Sequence, residues 1–101
     1  APMITLSAKI KAKEGSEAAL EAALSALVKK VEAEEGTLEY VLNKSLKDPS
    51  LFMVFEVYKD KAALDHHGTT DYFTAAMKET AAYVAQKPEI EMYQEITRIK
   101  R

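Results

Sequence analysis

Phe52-Met53-Val54-Phe55-Glu56-Val57-Tyr58-Lys59-Asp60-Lys61-Ala62-Ala63-Leu64-Asp65-His66-His67-Gly68-Thr69-Thr70-Asp71-Tyr72-Phe73 decides the fold. Residues 51–58 are apolar at nearly every position, too short for a membrane span and rich in β-formers, so they read as a strand covered on both faces. Its two faces are Leu51, Met53, Phe55, Val57 and Phe52, Val54, Glu56, Tyr58. Asp60 then N-caps a short helix over 61–67, which carries both histidines of the chain. Gly68 allows a bend, and Thr69 or Thr70 opens a second helix to about Gln86, stopped by Lys87-Pro88.

Working outward, residues 3–12 alternate, with Ile4, Leu6, Ala8 and Ile10 on one face of a strand. Lys13-Glu14-Gly15 is a turn and Ser16 an N-cap candidate. Leu20, Leu24, Leu27, Val28 and Val31 recur at helical spacing, and Gly36 is read as the C-terminal residue with positive φ. A second strand spans 38–46 and turns through Asp48-Pro49-Ser50 into the third. Residues 89–100 alternate as a fourth. The order β-α-β-β-α-β with right-handed crossovers predicts an α+β, ferredoxin-like sandwich: a four-stranded antiparallel sheet with helices on one face. One helical layer leaves the other face of the third strand bare, so a homodimer through sheet-face packing is expected.

The 101 residues suit a single domain, 1–101. A net charge of −2 without a basic stripe argues against nucleic acid. The absence of cysteine excludes disulfides and thiol chemistry. No run approaches the roughly 18 apolar residues of a membrane span. The chain enters its first strand with no signal-peptide pattern, so the cytoplasm is the expected location. Gly15, Gly36 and Gly68 are isolated and form no phosphate loop or dinucleotide fingerprint. His66 and His67 are adjacent and point about 100° apart on a helix, unlike an i, i+4 metal pair. No pattern for flavin, nicotinamide, haem or a transition metal is found, so no cofactor is expected.

The chain resembles the antibiotic biosynthesis monooxygenase (ABM) family across nearly its whole length. The resemblance is carried by Met3-Ile4-Thr5-Leu6, by Glu34-Glu35-Gly36-Thr37-Leu38-Glu39-Tyr40, by Phe55-Glu56-Val57-Tyr58-Lys59-Asp60 with Ala62, Ala63, Leu64 and His67, and by Thr70-Asp71-Tyr72-Phe73. It implies a dimeric α+β barrel with a pocket between sheet and helices in each subunit. It also implies cofactor-free monooxygenases of quinols and polycyclic phenols, with sugar-phosphate isomerases and haem-degrading enzymes on similar folds. Met77 stands where a haem-degrading enzyme would need a histidine, and the chain has no tryptophan.

His67 shares the inward helix face of Ala63 and Leu64 and is the candidate catalytic residue; His66 lies to the flank. An imidazole can take a phenol proton or steady an oxyanion. Tyr72, where related sequences often carry a second histidine, is the second catalytic candidate. Asn43 and Glu56 are polar substrate-binding candidates, and Phe52, Phe73 and Met77 are apolar ones. Each has a plainer reading: a strand-edge amide for Asn43, a paired carboxylate for Glu56, and ordinary core for the others. The expected substrate is a quinol or phenol that itself reduces O2. Two alternatives stand beside it. One is a ketose-phosphate isomerase, whose His-x-Thr-Thr stretch His67-Gly68-Thr69-Thr70 resembles, with Lys9, Lys11, Lys44 and Arg98 as candidate cations. The other is a noncatalytic dimeric binding or stress protein.

Overall fold

The computed structural model describes residues 2–101; Ala1 lies outside them. The elements are β1 (Ile4–Lys11), α1 (Glu17–Val31), β2 (Thr37–Lys44), β3 (Leu51–Tyr58), α2 (Lys61–Thr69), α3 (Asp71–Thr80) and β4 (Glu89–Tyr93). The four strands form one antiparallel sheet in the order β2-β3-β1-β4. This is the ferredoxin-like arrangement expected from the strand and helix order.

β3 is a central strand because its apolar residues leave no polar face to give to water. Phe52, Val54 and Tyr58 are buried on the helix side, together with Leu6, Ala8 and Ile10 of β1. α1 lays Leu20 and Leu24 against that layer and also buries Ala23, Leu27 and Val31. These Leu and Val side chains, each contributing about 1.5–3 kcal/mol on burial, anchor the helix. On the opposite face Leu51, Met53 and Phe55 are partly exposed, while Val57 is buried.

Several local expectations change. Ser16 sits at the N-cap of α1 but makes no side-chain cap bond. α1 ends at Val31, five residues before Gly36, and Gly36 does not have positive φ; among the described residues only Gly15 does, at 87°. Gly36 is needed for a different reason. A Cβ there would sit 2.5 Å from Cβ of Ala63, so the absent side chain lets α2 approach the start of β2.

Gly68 makes no bend, because α2 continues through it to Thr69. α3 stops at Thr80, short of Gln86. The backbone then turns back on β1: Lys13 donates its N–H to Tyr83, Ala85 donates to Lys11, and Val84 bridges Ala12. Strand pairing thus takes backbone groups that the apolar periodicity had assigned to a helix. β4 ends at Tyr93 for the same kind of reason. Its ladder partner β1 begins at Ile4, so little of β1 is left to pair beyond Tyr93, which faces Thr5.

Candidate functional site

Four segments bring one polar cluster together: the connection after α1, the start of β2, α2 and α3. Asp60 caps α2 by accepting from the N–H of Ala63, and Thr70 caps α3 by accepting from the N–H of Phe73. These caps fix where α2 begins and where the chain changes direction between helices. α2 then turns Ala63 and His67, four residues apart, onto its buried side. His66 is exposed, one position round the helix.

His67 is 3% exposed. Its ring is enclosed by Tyr40, Tyr58 and Phe73, with centroids at 5.2, 5.5 and 4.7 Å, all tilted. Nδ1 lies 3.0 and 3.2 Å from the two carboxylate oxygens of Glu34, itself 5% exposed. The hydroxyl of Thr37 donates to the same carboxylate at 2.8 Å, and that of Tyr72 at 2.5 Å. Burial by itself would raise the Glu34 pKa. The hydrogen bonds from Tyr72, Thr37 and His67 outweigh it and hold the carboxyl below its ordinary value. On the other side of the ring, Nε2 is the one buried side-chain polar atom without a partner among the described residues.

His67 forms part of the wall of a cavity of about 230 Å³ between helices and sheet. The wall is mostly apolar, including Leu6, Leu24, Val54, Phe73, Met77 and Ile90. Its polar groups are His67, Tyr40 and Glu56, and among the described residues no lysine or arginine lines it. Glu56 accepts a 2.5 Å hydrogen bond from the Tyr58 hydroxyl. Burial pushes its carboxyl up to about 7, against the Tyr58 bond, and the Glu34 charge adds to the rise. Burial likewise raises the Tyr40 and Tyr58 phenols, so both stay protonated donors.

The cavity unites His67, Glu56, Phe73 and Met77 from the residues singled out in the sequence. Tyr72 is not in its wall; its hydroxyl is on Glu34, behind His67. Phe52 lies on the correct face but four positions along β3 from Glu56, roughly 13 Å at strand spacing. It is packed between Ile10 and Lys44 in the ladder, as core. Asn43 lies on the far face of the sheet, since it alternates with Tyr40 and Leu42; its amide donates to the carbonyls of Val41 and Met53. A larger open groove of about 500 Å³ runs along the β2 edge past Asn43. Its charges are solvated or paired, as Lys44 is with Glu21, and it lacks a buried unpaired group.

Glu34 is not singled out as functional by the sequence, because 33 residues separate it from His67 and no periodicity joins a helix exit to another helix. Its only signal is the acidic pair before Gly36 in the stretch that carries the family resemblance.

Comparison with known proteins agrees with this geometry. Residues 3–79 match the antibiotic biosynthesis monooxygenase family. "Putative monooxygenase YcnE" of Bacillus subtilis is 34% identical over 71 residues, 70% of this chain and 75% of that one. The Synechocystis protein sll1783 is 27% identical over 90 residues, and the chain spans only 61% of its length. Among solved structures, a "putative antibiotic biosynthesis monooxygenase" from Caulobacter crescentus superposes with a TM-score of 0.90 at 35% identity, covering 95% of this chain and 92% of that one. PA3566 from Pseudomonas aeruginosa gives 0.89 at 34% identity, covering 96% and 97%. With the matched region spanning β1 through nearly all of α3, His67 included, the chain belongs to the antibiotic biosynthesis monooxygenase family.

Proposed function

We propose that this protein is a cofactor-independent monooxygenase of a small hydroquinone or phenol, working as a homodimer. The observation that carries this reading is His67, with its Nε2 buried and unpartnered, in the wall of a mostly apolar cavity. A phenolic hydroxyl donating to Nε2 would satisfy it, and the ring would replace empty apolar space. An apolar cavity of about 150 Å³ accepts benzene, so about 230 Å³ suits one substituted ring better than a polycycle.

The chemistry follows from those contacts. His67 Nε2 takes the hydroxyl proton, and Glu34 stabilises the resulting imidazolium from the Nδ1 side. The phenolate is electron-rich enough to pass an electron to O2, and the radical pair recombines at the ring. One oxygen atom stays on the ring and the other leaves as water, so hydroquinone and O2 give hydroxyquinone and water. The electrons come from the substrate. The protein deprotonates, orients and keeps water out. Glu56, at its raised pKa, is a second proton-exchanging group in the same wall.

The isomerase reading fits less well. Its substrate needs cations for phosphate, and Lys11 is committed to Asp48, Lys44 to Glu21, and Arg98 to Glu39 and Glu95. Lys9 is exposed, with β1 neighbours Leu6, Ala8 and Ile10 turned the other way into the core. A noncatalytic module fits a filled interior better than a cavity with an unpaired nitrogen.

The test is O2 uptake by purified protein with a panel of single-ring hydroquinones and catechols. We expect uptake above the uncatalysed rate, one O2 per substrate. No uptake above background with any member would overturn the reading. His67→Ala is expected to lower turnover about 10²-fold or more, and His66→Ala to leave it nearly unchanged.

A further inference from the structure

We propose that Glu34 is a positioning residue: its carboxylate fixes the His67 ring with a proton on Nδ1, so that the neutral ring keeps a bare Nε2 on the side away from Glu34. The catalytic consequence rests on the monooxygenase reading above. The tautomer does not.

Glu34 receives three hydrogen-bonding groups, and two of them, the Thr37 and Tyr72 hydroxyls, are donors to it. A carboxylate has only acceptor positions, so the third partner, Nδ1, must bring a hydrogen. The opposite arrangement would need a protonated Glu34 giving its hydrogen to Nδ1, and would place an N–H on Nε2. That hydrogen would then be buried with no acceptor, since Nε2 has no partner. An orphaned buried N–H is rarer in proteins than an under-used acceptor. Thr37 and Tyr72 also favour the ionised form of Glu34 over the protonated one.

The ring has little freedom to escape this choice. Tyr40, Tyr58 and Phe73 pack around it at 4.7–5.5 Å between centroids. Rotating the imidazole would sweep it through those rings and exchange Nδ1 for a carbon at the carboxylate. The carboxylate therefore acts on the substrate only through His67. It selects which lone pair is presented, and it favours the cation that forms once Nε2 has taken a proton. Tyr72 belongs to the same assembly: it holds Glu34 rather than the substrate.

The measurement is a long-range proton–nitrogen correlation spectrum of ligand-free protein labelled with nitrogen-15 in histidine, taken at a pH where the ring is neutral. In the wild type we expect Nδ1 to carry the proton and Nε2 to be bare. In Glu34→Gln, whose amide can donate as well as accept, the Nε2–H form should appear. Its kcat for a hydroquinone should fall about 10²-fold or more while KM changes little. Tyr72→Phe, which leaves the carboxylate on His67, should lower kcat by less and keep the wild-type tautomer.

A wild-type ring protonated on Nε2 alone would overturn the proposal. So would an unchanged tautomer and kcat in Glu34→Gln. If Glu34→Gln does not fold, the wild-type spectrum still decides the tautomer, and Glu34→Asp, whose shorter side chain draws the carboxylate back from Nδ1, takes its place with the same two readouts. If the tautomers behave as expected but the wild type oxidises no hydroquinone, the positioning role stands and the monooxygenase reading falls.

Discussion

Glu34 and Glu56 are both buried carboxyls, yet their environments push them in opposite directions. Three donors meet Glu34 and only one, Tyr58, meets Glu56. Glu34 is therefore held below its ordinary pKa and Glu56 raised to about 7. The consequences for stability have opposite signs. The contribution of Glu34 is present above about 4.5 and is lost as pH falls through its lowered folded value. Glu56 binds its proton more tightly folded than unfolded. Its contribution is full below about 4.5 and drains away as pH rises to about 7, at a cost on the order of 3 kcal/mol. Urea unfolding should show Glu56→Gln gaining on the wild type between pH 5 and 7 and keeping that gain at pH 8. A difference that stays flat across that range would show that Glu56 is not raised.

At the scale of elements, the site depends on how closely α2 approaches β2, and Gly36 sets that distance. Gly36→Ala would force its Cβ against Ala63, which lies one turn before His67 on the same helix face. Neither atom is the end of a flexible side chain, so helix or strand must shift. A loss of roughly 1–3 kcal/mol in chemical denaturation is expected, with turnover falling as His67 is displaced. Gly68→Ala is the control. Nothing lies within 4 Å of the added Cβ, φ is not positive, and the residue is helical. It should be neutral or stabilising by up to about 1 kcal/mol. Equal losses at the two glycines would contradict this account of Gly36.

The whole molecule shows an imbalance between the two faces of its sheet. Helices cover one. On the other, Met53 and Phe55 of β3 are half-exposed and Val41 of β2, paired with Phe55, is 45% exposed. Ile96 and Ile99, beyond β4, are exposed at 88% and 72%. The proposed homodimer would cover this face with a second copy, burying upward of about 1,200 Å² in total. Light scattering at micromolar concentration should give twice the chain mass. Phe55→Glu, which places a charge on the bare face and leaves the His67 cavity alone, should halve it. A wild-type mass of one chain would sink the proposal.

β3 was legible from its unbroken apolar run, and β1 and α1 from an alternation and a leucine spacing, because burial on one face imposes a period on the chain itself. That period determined the number of strands, their order and the side of α2 that carries His67. It also kept Glu56, Phe73 and Met77 among the candidates that the cavity brings together. Where two distant segments compete or converge, period says nothing. β1 drew residues 83–85 out of the expected helix through backbone hydrogen bonds, which carry no side-chain signature. Strand alternation turned Asn43 away from the cavity, a fact decided by which face the helices chose. Glu34, Thr37, Tyr72 and His67 come from four segments and meet only when α2 and α3 fold back over the end of α1. The histidine could be named from the sequence; the carboxylate that gives it a direction is a product of tertiary structure, because hydrogen-bond geometry between remote segments leaves no spacing to read.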